Sequence, residues 1–414
     1  MELLRKKTYD TLRASERFLK TDMVYLAKGG FWLTFAHGFS TLMGFMLSIG
    51  FANLLTQDAY GIYKYILSIG GIIGIFALSG LSSAITRASA KNKDGTFLKM
   101  FWISIRWGTG VTILGAILAA YYFYKGNSTF AIGMLLVGAG APLIDSLELY
   151  GAFLNGKKDF RRSSLYKAGR SLTVSIGILT LLFFTKEPIM LLIGYFFFHI
   201  AALAILFKWT TKHHIQNKEI DADALRLAKH GSVMNAFASF AERIDNILVF
   251  QFLGPIQLAI YNFAQVIPIN LAGFIKNIST LATPKYAIQD KSVAQKALMQ
   301  KSFKLFLVGF LVVGVYVLFA PFIYETFFPA YIEAIPYSQI YALTILFSGA
   351  LPVAFLDAHI AIKEKYIATF IAGIQKISIL FIGIYFWGLW GLVFARVITK
   401  MIAVMISMIA AKKI

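Results

Sequence analysis

Long apolar runs without a charged residue set the strongest limit on how this chain can fold. Six such runs reach at least 20 residues, at 29–57, 65–86, 188–207, 246–275, 305–324 and 334–356. An α-helix of about 20 residues crosses the ~30 Å hydrocarbon layer of a bilayer. Because only 14% of the residues are charged, the chain has too few polar side chains to cover a water-soluble surface. The predicted fold class is therefore an all-α integral membrane protein.

Shorter apolar runs, some interrupted by a charge, fill the gaps between these six. The sequence then predicts twelve spans, near 29–54, 60–85, 102–124, 129–153, 167–185, 188–208, 231–253, 258–282, 304–324, 337–359, 366–386 and 389–410.

Lysine and arginine concentrate in alternate connections between the predicted spans. The N-terminal segment and the connections around 91–99, 157–162, 208–218, 291–301 and 363–365 are basic, whereas the connections between them are short and poor in lysine and arginine. By the positive-inside rule, every basic connection faces the cytoplasm, which requires an even number of spans and two cytoplasmic termini. Residues 1–25 are expected to form an amphipathic helix on the inner membrane surface rather than a signal peptide.

Two stretches recur about 200 residues apart. The sequence LAKGG at 26–30 returns as LAKHG at 227–231, and LTQDAYGIYKY at 55–65 aligns with LGPIQLAIYNF at 253–263. Parallel repeats in an apolar chain predict two six-helix lobes with a substrate path between them. The predicted divisions are a cytoplasmic segment at 1–25, an N lobe at 26–208, a linker at 209–224 and a C lobe at 225–414.

The seventh predicted span carries the densest charge. Glu242, Asp245 and Asn246 are spaced i, i+3 and i, i+4, which places them on one helix face with Arg243 to one side. Ionisable groups at bilayer depth usually face a cavity, a partner or a substrate. We expect this face to be the polar wall of a cavity that couples to a cation or proton; a structural ion pair is the alternative.

The neighbouring spans add polar side chains to this expected cavity. Asn262, Gln265 and Asn270 in the eighth span either line the cavity or join helices through their amides. Asp145 and Glu148 in the fourth span are spaced i, i+3, and pairing with Lys157 or Lys158 is the favoured interpretation for them. Asp145 is also counted among the polar and ion-coupling residues expected to line the cavity.

The last two spans contain Lys376, Arg396 and Lys400 but no acid. Cations without an acid in their own span favour contact with an anion, and Lys376 and Arg396 lie too deep for their charges to reach water easily. The full set of cations expected to bind an anionic substrate is Lys28, Lys64, Arg87, Arg243, Lys276, Lys376, Arg396 and Lys400.

Several chemistries are disfavoured by the sequence. There is no cysteine, so disulfides and thiolate sites are excluded. The adjacent His213 and His214 lack the spacing of a metal site, and no phosphate-binding glycine loop or zinc-protease motif is present. No cofactor and no metal are expected, apart from a coupling proton or monovalent cation.

Several short motifs then occur in a specific order: KGG at 28–30, AYGIY at 59–63, GLSSA at 80–84 before Arg87, RID at 243–245, LGP at 253–255 and IY at 260–261. With them the chain resembles the polysaccharide flippases of the multidrug/oligosaccharidyl-lipid/polysaccharide exporter superfamily. The resemblance covers the chain from Lys28 onwards. It implies a V-shaped exporter of two six-helix lobes that moves an undecaprenyl-pyrophosphate-linked oligosaccharide across a prokaryotic inner membrane by alternating access. Twelve spans leave no room for the two further spans of lipid II flippases.

The expected partners are membrane lipid, the polyprenyl-pyrophosphate-linked oligosaccharide and other polysaccharide-assembly proteins, but not nucleic acid. Two other functions stay open. A drug/cation antiporter of the same superfamily would need a cavity dominated by acids. A membrane glycosyltransferase or polymerase would need a catalytic carboxylate and a sizeable external loop, so a transporter rather than an enzyme is favoured.

Overall fold

A computed structural model shows the protein as a bundle of α-helices. It describes residues 23–76, 80–288, 291–347, 349–358 and 362–412, and leaves out some side chains within these ranges, including those of 23–29 and 274–288. The helices are α1 (Met23–Leu54), α2 (Gln57–Ile73), α3 (Leu81–Ala90), α4 (Gly95–Tyr124), α5 (Ser128–Leu147), α6 (Leu149–Gly156), α7 (Phe160–Phe184), α8 (Pro188–His214), α9 (Ala224–Ile288), α10 (Lys291–Phe327), α11 (Ala334–Ala342), α12 (Ala350–Ala358) and α13 (Ile362–Lys412). No strand occurs in the described ranges, and the predicted all-α class is confirmed. The N-terminal segment 1–22 lies outside them.

Two glycines divide the longest helices. Gly254 (φ 87°) interrupts α9, and Gly388 (φ 56°) interrupts α13. Glycine adopts positive φ at little cost, so each helix can double back at this point. The hydrogen bond from Tyr261 to Asp245 shows that the two halves of α9 lie side by side.

Eight helices in the described part of the chain are long and apolar enough to cross a bilayer. The two divided helices each supply two crossings. Two further crossings are α2 with α3 and α11 with α12, each interrupted by a short 3-10 helix, at Gly74–Phe76 and Leu343–Ile345. The described segments therefore make twelve crossings, as the sequence predicted.

Side-chain caps set where several helices begin. Thr56, Asn127 and Asp159 accept hydrogen bonds from the backbone N–H groups three residues further on, which satisfies donors that the first helical turn leaves free. Large apolar side chains such as Phe123, Phe184 and Leu318 are at least 74% exposed, as expected of a surface that faces lipid.

The lobes meet along one continuous seam, where α2 and α3 run antiparallel to the first half of α9. The contacts along it are Gly61 with Pro255, Tyr65 with Phe250, Ser68 with Asn246, Gly71 with Arg243 and Gly80 with Ser232. Glycine at three of these positions lets the neighbouring helix come close, since an added Cβ would collide with it.

The bundle has two distinct ends. At the end that holds Thr56, Gly254 and Gly388, which we call the turn end, a buried aromatic cluster of Tyr60, Phe263 and Tyr331 closes the seam. Asn53 also donates a hydrogen bond to the Phe327 carbonyl there, at 3.0 Å. At the opposite end, which we call the basic end, the connections 91–94, 157–159 and 215–223 lie together.

The connection 215–223 between the lobes docks on the N lobe at the basic end. The Asp94 carboxylate is inaccessible to solvent, pairs with Lys157 at 2.7 Å and accepts a hydrogen bond from the Gln216 backbone N–H at 2.9 Å. Asp221 lies near Lys91, and its pKa is lowered from its ordinary value chiefly by the hydrogen bond from the Asp223 backbone N–H. The linker predicted at 209–224 thus begins after His214 and is held to the N lobe.

Candidate functional site

A cavity of about 570 Å³ lies between the lobes beside the seam. Its wall follows α2 and α3 from Lys64 to Ser82, and α4, α5, α8 and the first half of α9 complete it. This volume is within the usual range of ligand pockets, roughly 300–1,000 Å³. The cavity is therefore the candidate substrate site.

Two cations from different lobes face this cavity: Lys64 on α2 and Arg243 on α9. The Lys64 Nζ lies 5.7 Å from the centre of the Tyr60 ring, and the Arg243 guanidinium packs over the bare backbone of Gly71. Among the described residues, no carboxylate forms an ion pair with either side chain. Both side chains are cations on the wall of one cavity, so their charges repel each other. Such a pair is suited to an anion, because charge-assisted contacts strengthen in a site of low dielectric.

Two acids line the same cavity nearer the basic end. Glu148 pairs with Arg170 at 2.7 Å, so its charge is balanced. Asp145 has no such partner among the described side chains and interacts electrostatically with both Glu148 and Arg243. The expectation that these acids pair with Lys157 or Lys158 is wrong for Glu148, and Lys157 pairs with Asp94 instead.

Hydrogen bonds across the seam fix the cavity wall. Asn246 donates to the Ser68 hydroxyl at 2.9 Å, and Gln251 donates to the Tyr65 hydroxyl. The Tyr65 hydroxyl also forms a hydrogen bond with the Tyr122 hydroxyl, at 3.0 Å. These bonds orient the first half of α9 so that Arg243 points into the cavity.

A second group of charges lies inside the C lobe. The Arg396 Nη2 is 3.0 Å from Asp245 Oδ2 and 3.6 Å from Glu242 Oε1. The Lys376 Nζ is 3.0 Å from Glu242 Oε2, and the Tyr261 hydroxyl donates to Asp245 at 2.6 Å. We call these five residues the C-lobe ion cluster; none of them lines the cavity between the lobes.

The expectation that the cations of the last two spans lack acid partners is wrong. Lys376 and Arg396 pair with Glu242 and Asp245 of the seventh span. Reading each span separately could not reveal this, because the pairing depends on how α9 and α13 pack.

The predicted single polar face of the seventh span is also divided. Arg243 and Asn246 turn towards the cavity, whereas Glu242 and Asp245 turn into the C lobe. The amides of the eighth span bond within their own helix, and that of Asn262 also donates to the Asn246 side chain at 3.4 Å. Those of Asn262, Gln265 and Asn270 each donate to the carbonyl four residues earlier, and none of the three lines the cavity.

The other predicted substrate cations lie elsewhere or cannot be placed. Arg87 is an exposed residue of α3 and Lys400 an exposed residue of α13, and neither lines the cavity. The side chains of Lys28 and Lys276 lie outside the described residues.

Sequence reasoning missed three residues that complete these groups. Arg170 neutralises Glu148, Tyr261 binds Asp245, and the Tyr341 ring lies 6.0 Å from the Arg396 guanidinium. Tyr261 had a signal, since it aligns with Tyr63 in the internal repeat, and Arg170 had one as a charge inside the predicted span 167–185, whereas Tyr341 had none. In the part of the chain that the structure describes, no group of three His, Cys, Asp or Glu side chains could hold a metal ion.

The fold is shared with solved transporters. An inward-facing multidrug resistance MATE transporter of the MOP superfamily superposes with a TM-score of 0.70 at 16% identity, over 90% of this chain and 94% of that one. An outward-facing MATE transporter gives a TM-score of 0.62 at 17% identity, over 94% and 95%. A MOP superfamily transporter from Pyrococcus furiosus, described as having a binding pocket of reverse polarity, gives 0.64 at 16% identity, over the same shares. The chain is thus a multi-pass membrane protein with the fold of a MOP superfamily transporter.

Sequence comparison identifies the family more narrowly. The model of the family described as "Polysaccharide biosynthesis protein" matches residues 26–283, more than half of the chain. The chain belongs to this family. No curated protein matches it in sequence.

Proposed function

We propose that the protein is a flippase that moves an undecaprenyl-pyrophosphate-linked oligosaccharide from the inner to the outer leaflet of a prokaryotic inner membrane. The observation that carries this proposal is the pair of cations Lys64 and Arg243, which face one cavity from opposite lobes without a carboxylate partner among the described residues. Membership of a polysaccharide biosynthesis family supports the sugar part of the substrate.

A diphosphate suits this pair of cations. Bound between Lys64 and Arg243, it would balance two charges that otherwise repel each other. It would also contact both lobes. Its binding or release would therefore change the free-energy difference between the state with the lobes together and the state with the lobes apart. The cavity volume of about 570 Å³ suits a polar headgroup, while the polyprenyl tail stays in the lipid around the apolar outer surface.

The basic connections supply the proposed orientation. We place the basic end, with the docked linker, in the cytoplasm, so the turn end and its aromatic cluster close the cavity on the outer side. The sequence contains no nucleotide-binding motif, and we propose that an ion gradient drives the cycle.

Asp145 supports a second candidate, a drug/cation antiporter. This carboxylate lines the cavity, and some neighbours in fold are multidrug transporters. Against this candidate, Glu148 is already neutralised by Arg170, so one free acid stands against two free cations among the described residues of the cavity.

Binding to the purified full-length protein tests the proposal. We expect undecaprenyl pyrophosphate to bind, and Lys64→Ala or Arg243→Ala to weaken binding roughly 10- to 150-fold, the equivalent of losing one charge-assisted contact of ~1.5–3 kcal/mol. Arg87→Ala is the matched control, because Arg87 is an exposed cation in the same membrane crossing as Lys64 but outside the cavity. In cells without their own flippase, the two cavity variants should accumulate lipid-linked repeat units on the inner leaflet.

Ethidium, a cationic probe, separates the two candidates. A flippase should bind undecaprenyl pyrophosphate in preference to ethidium. Ethidium binding that Asp145→Asn abolishes, with no binding of undecaprenyl pyrophosphate, would establish the antiporter instead.

A further inference from the structure

The C-lobe ion cluster balances its own charge. Two carboxylates, Glu242 and Asp245, meet two cations, Lys376 and Arg396. Arg396 is 4% exposed and Asp245 is 2% exposed. A buried ion costs several kcal/mol of desolvation unless it is paired and hydrogen-bonded, so this pairing is a condition for burying Asp245, Lys376 and Arg396.

Asp245 has all the partners that a buried carboxylate needs. One oxygen accepts from Arg396 and from Tyr261, and the other accepts from the Asn246 backbone N–H at 3.0 Å. The Tyr341 ring lies beside the Arg396 guanidinium. The guanidinium is thus fixed against Asp245 by neighbours on three membrane crossings other than its own.

Glu242 shares the same guanidinium. Its side chain is 60% exposed and touches Lys376 at 3.0 Å and Arg396 at 3.6 Å. Lys400 also acts electrostatically on the exposed Glu242, so without Arg396 the carboxylate left with no cation in contact would be the buried Asp245. Such a group attracts a proton or a metal cation.

We propose that Arg396 is a resident counter-cation: it occupies, at Asp245 and Glu242, the place that an exchangeable proton or monovalent cation would otherwise take. The C-lobe carboxylates then take up no coupling ion during the transport cycle. This inference replaces the sequence-based hypothesis of ion coupling at Asp245. It goes beyond the proposed flippase function and does not depend on which substrate is carried.

Thermal unfolding of the purified full-length protein tests this role. The Tm is measured in NaCl, KCl or choline chloride at equal ionic strength, and across acid and neutral pH. The wild-type Tm should be the same in the three salts. Arg396→Gln should lower the Tm in choline chloride and should recover part of it with Na⁺, K⁺ or acid pH, because a ligand that binds only the folded state stabilises it in proportion to the logarithm of its concentration.

Two further variants separate charge from packing. Arg396→Lys keeps a cation and should show no dependence on Na⁺ or K⁺. The double variant Asp245→Asn/Arg396→Gln removes both members of the buried pair, and should melt above Arg396→Gln with a smaller response to cations. If Arg396→Gln does not fold, the Tm of the double variant is compared with the Tm of the wild type and of Arg396→Lys. A double variant that folds supports the charge role of Arg396, and one that fails to fold contradicts it.

Three results would overturn the proposal. The first is a wild-type Tm that depends on Na⁺, K⁺ or protons and loses that dependence in Asp245→Asn. The second is an Arg396→Gln variant that responds to none of the three cations. The third is a double variant that is no more stable than Arg396→Gln, or that fails to fold, which would assign Arg396 a packing role. None of these measurements uses the lipid-linked substrate, so their failure is distinct from failure of the flippase proposal.

Discussion

Arg243 and Asp245 are two positions apart on one helix yet belong to different sites. A step of two residues turns an α-helix by about 200°, which directs Arg243 to the cavity between the lobes and Asp245 into the C lobe. The first half of α9 therefore carries an uncompensated cation on one face and a compensated acid on the other. It links the proposed substrate site to the interior of its own lobe.

Gly71 positions Arg243, so a change at this glycine should act through the arginine. An added Cβ would collide with the guanidinium. We expect Gly71→Ala to displace Arg243 and to weaken undecaprenyl pyrophosphate binding about as much as Arg243→Ala, by ~10-fold or more. The fold should survive, because alanine in place of glycine within a helix is stabilising by roughly 0.5–1 kcal/mol.

Gly74→Ala is the matched control for this prediction. Gly74 lines the same cavity, but a Cβ there would meet nothing within 4 Å. Binding assays on both variants test this dependence. Equal affinities for Gly71→Ala and wild type would show that the position of Arg243 does not depend on Gly71.

At this scale the sequence identified which residues are charged, but not what they contact. Arg243, Lys64 and Asp145 were all selected as ionisable residues within predicted spans, and all three line the cavity. The pairing of Arg396 with Asp245 was missed, because it joins helices that are about 150 residues apart and depends on their relative rotation. Depth follows from hydropathy along the chain, whereas partners follow from packing between helices.

At the scale of elements, the linker and the start of α9 behave as part of the N lobe. Ala224 and Ala228 are buried in an apolar cluster with Leu81, Ile85 and Phe97 of the N lobe. The Gly80 backbone N–H also donates to the Ser232 hydroxyl at 2.9 Å. The predicted lobe boundary at 224/225 is a boundary in sequence, and the packing boundary lies further along α9.

The buried carboxylate of Asp94 should be the main anchor of this linker. Asp94→Ala would leave Lys157 without its acid and the Gln216 N–H without its acceptor. Breaking a buried ion pair from one side costs about 3–5 kcal/mol, so we expect a clear loss of stability in denaturant titrations of the purified protein. Transport should fall only as far as the amount of folded protein does.

Arg162→Ala provides the comparison for Asp94. Its pair with Asp159 is a surface pair, with the Arg162 side chain 54% exposed, and such pairs contribute about 0–1 kcal/mol. Asp159 keeps its capping bond in this variant, because that bond goes to the backbone of residue 162. Similar stabilities for Asp94→Ala and Arg162→Ala would mean that the linker is held by other contacts.

The element pattern itself was largely predictable. Twelve apolar runs and the turns at Gly254 and Gly388 follow from hydropathy and from the special freedom of glycine. The interruptions at Gly74–Phe76 and Leu343–Ile345 were not predicted, because the runs that contain them stay apolar throughout. A break in a helix inside a bundle depends on neighbours that accept its free backbone groups, and a single sequence does not show those neighbours.

At the scale of the whole molecule, the described contacts close the cavity at the turn end. Tyr60, Phe263 and Tyr331 are buried there, and Gln57 on α2 donates a hydrogen bond to the Ala330 carbonyl. Alternating access requires that these contacts break while the seam between α2 and α9 rearranges. Buried aromatic contacts are all-or-none rather than gradual, which favours two discrete states over a continuous motion.

A disulfide across the turn end should therefore stop the cycle. The chain has no cysteine, so a Gln57→Cys/Ala330→Cys variant introduces the only thiols. We expect oxidation to join the lobes and abolish transport of the lipid-linked substrate in cells, and reduction to restore it.

The Asn92→Cys/Asn217→Cys variant is the matched control, since Asn217 donates to the Asn92 carbonyl at 2.6 Å within the docked linker. Its disulfide lies inside the unit that moves with the N lobe, so transport should continue. Transport that persists with residues 57 and 330 fully cross-linked would show that the turn end stays closed throughout the cycle, and a block by the 92–217 disulfide would show that the linker must detach for the lobes to move.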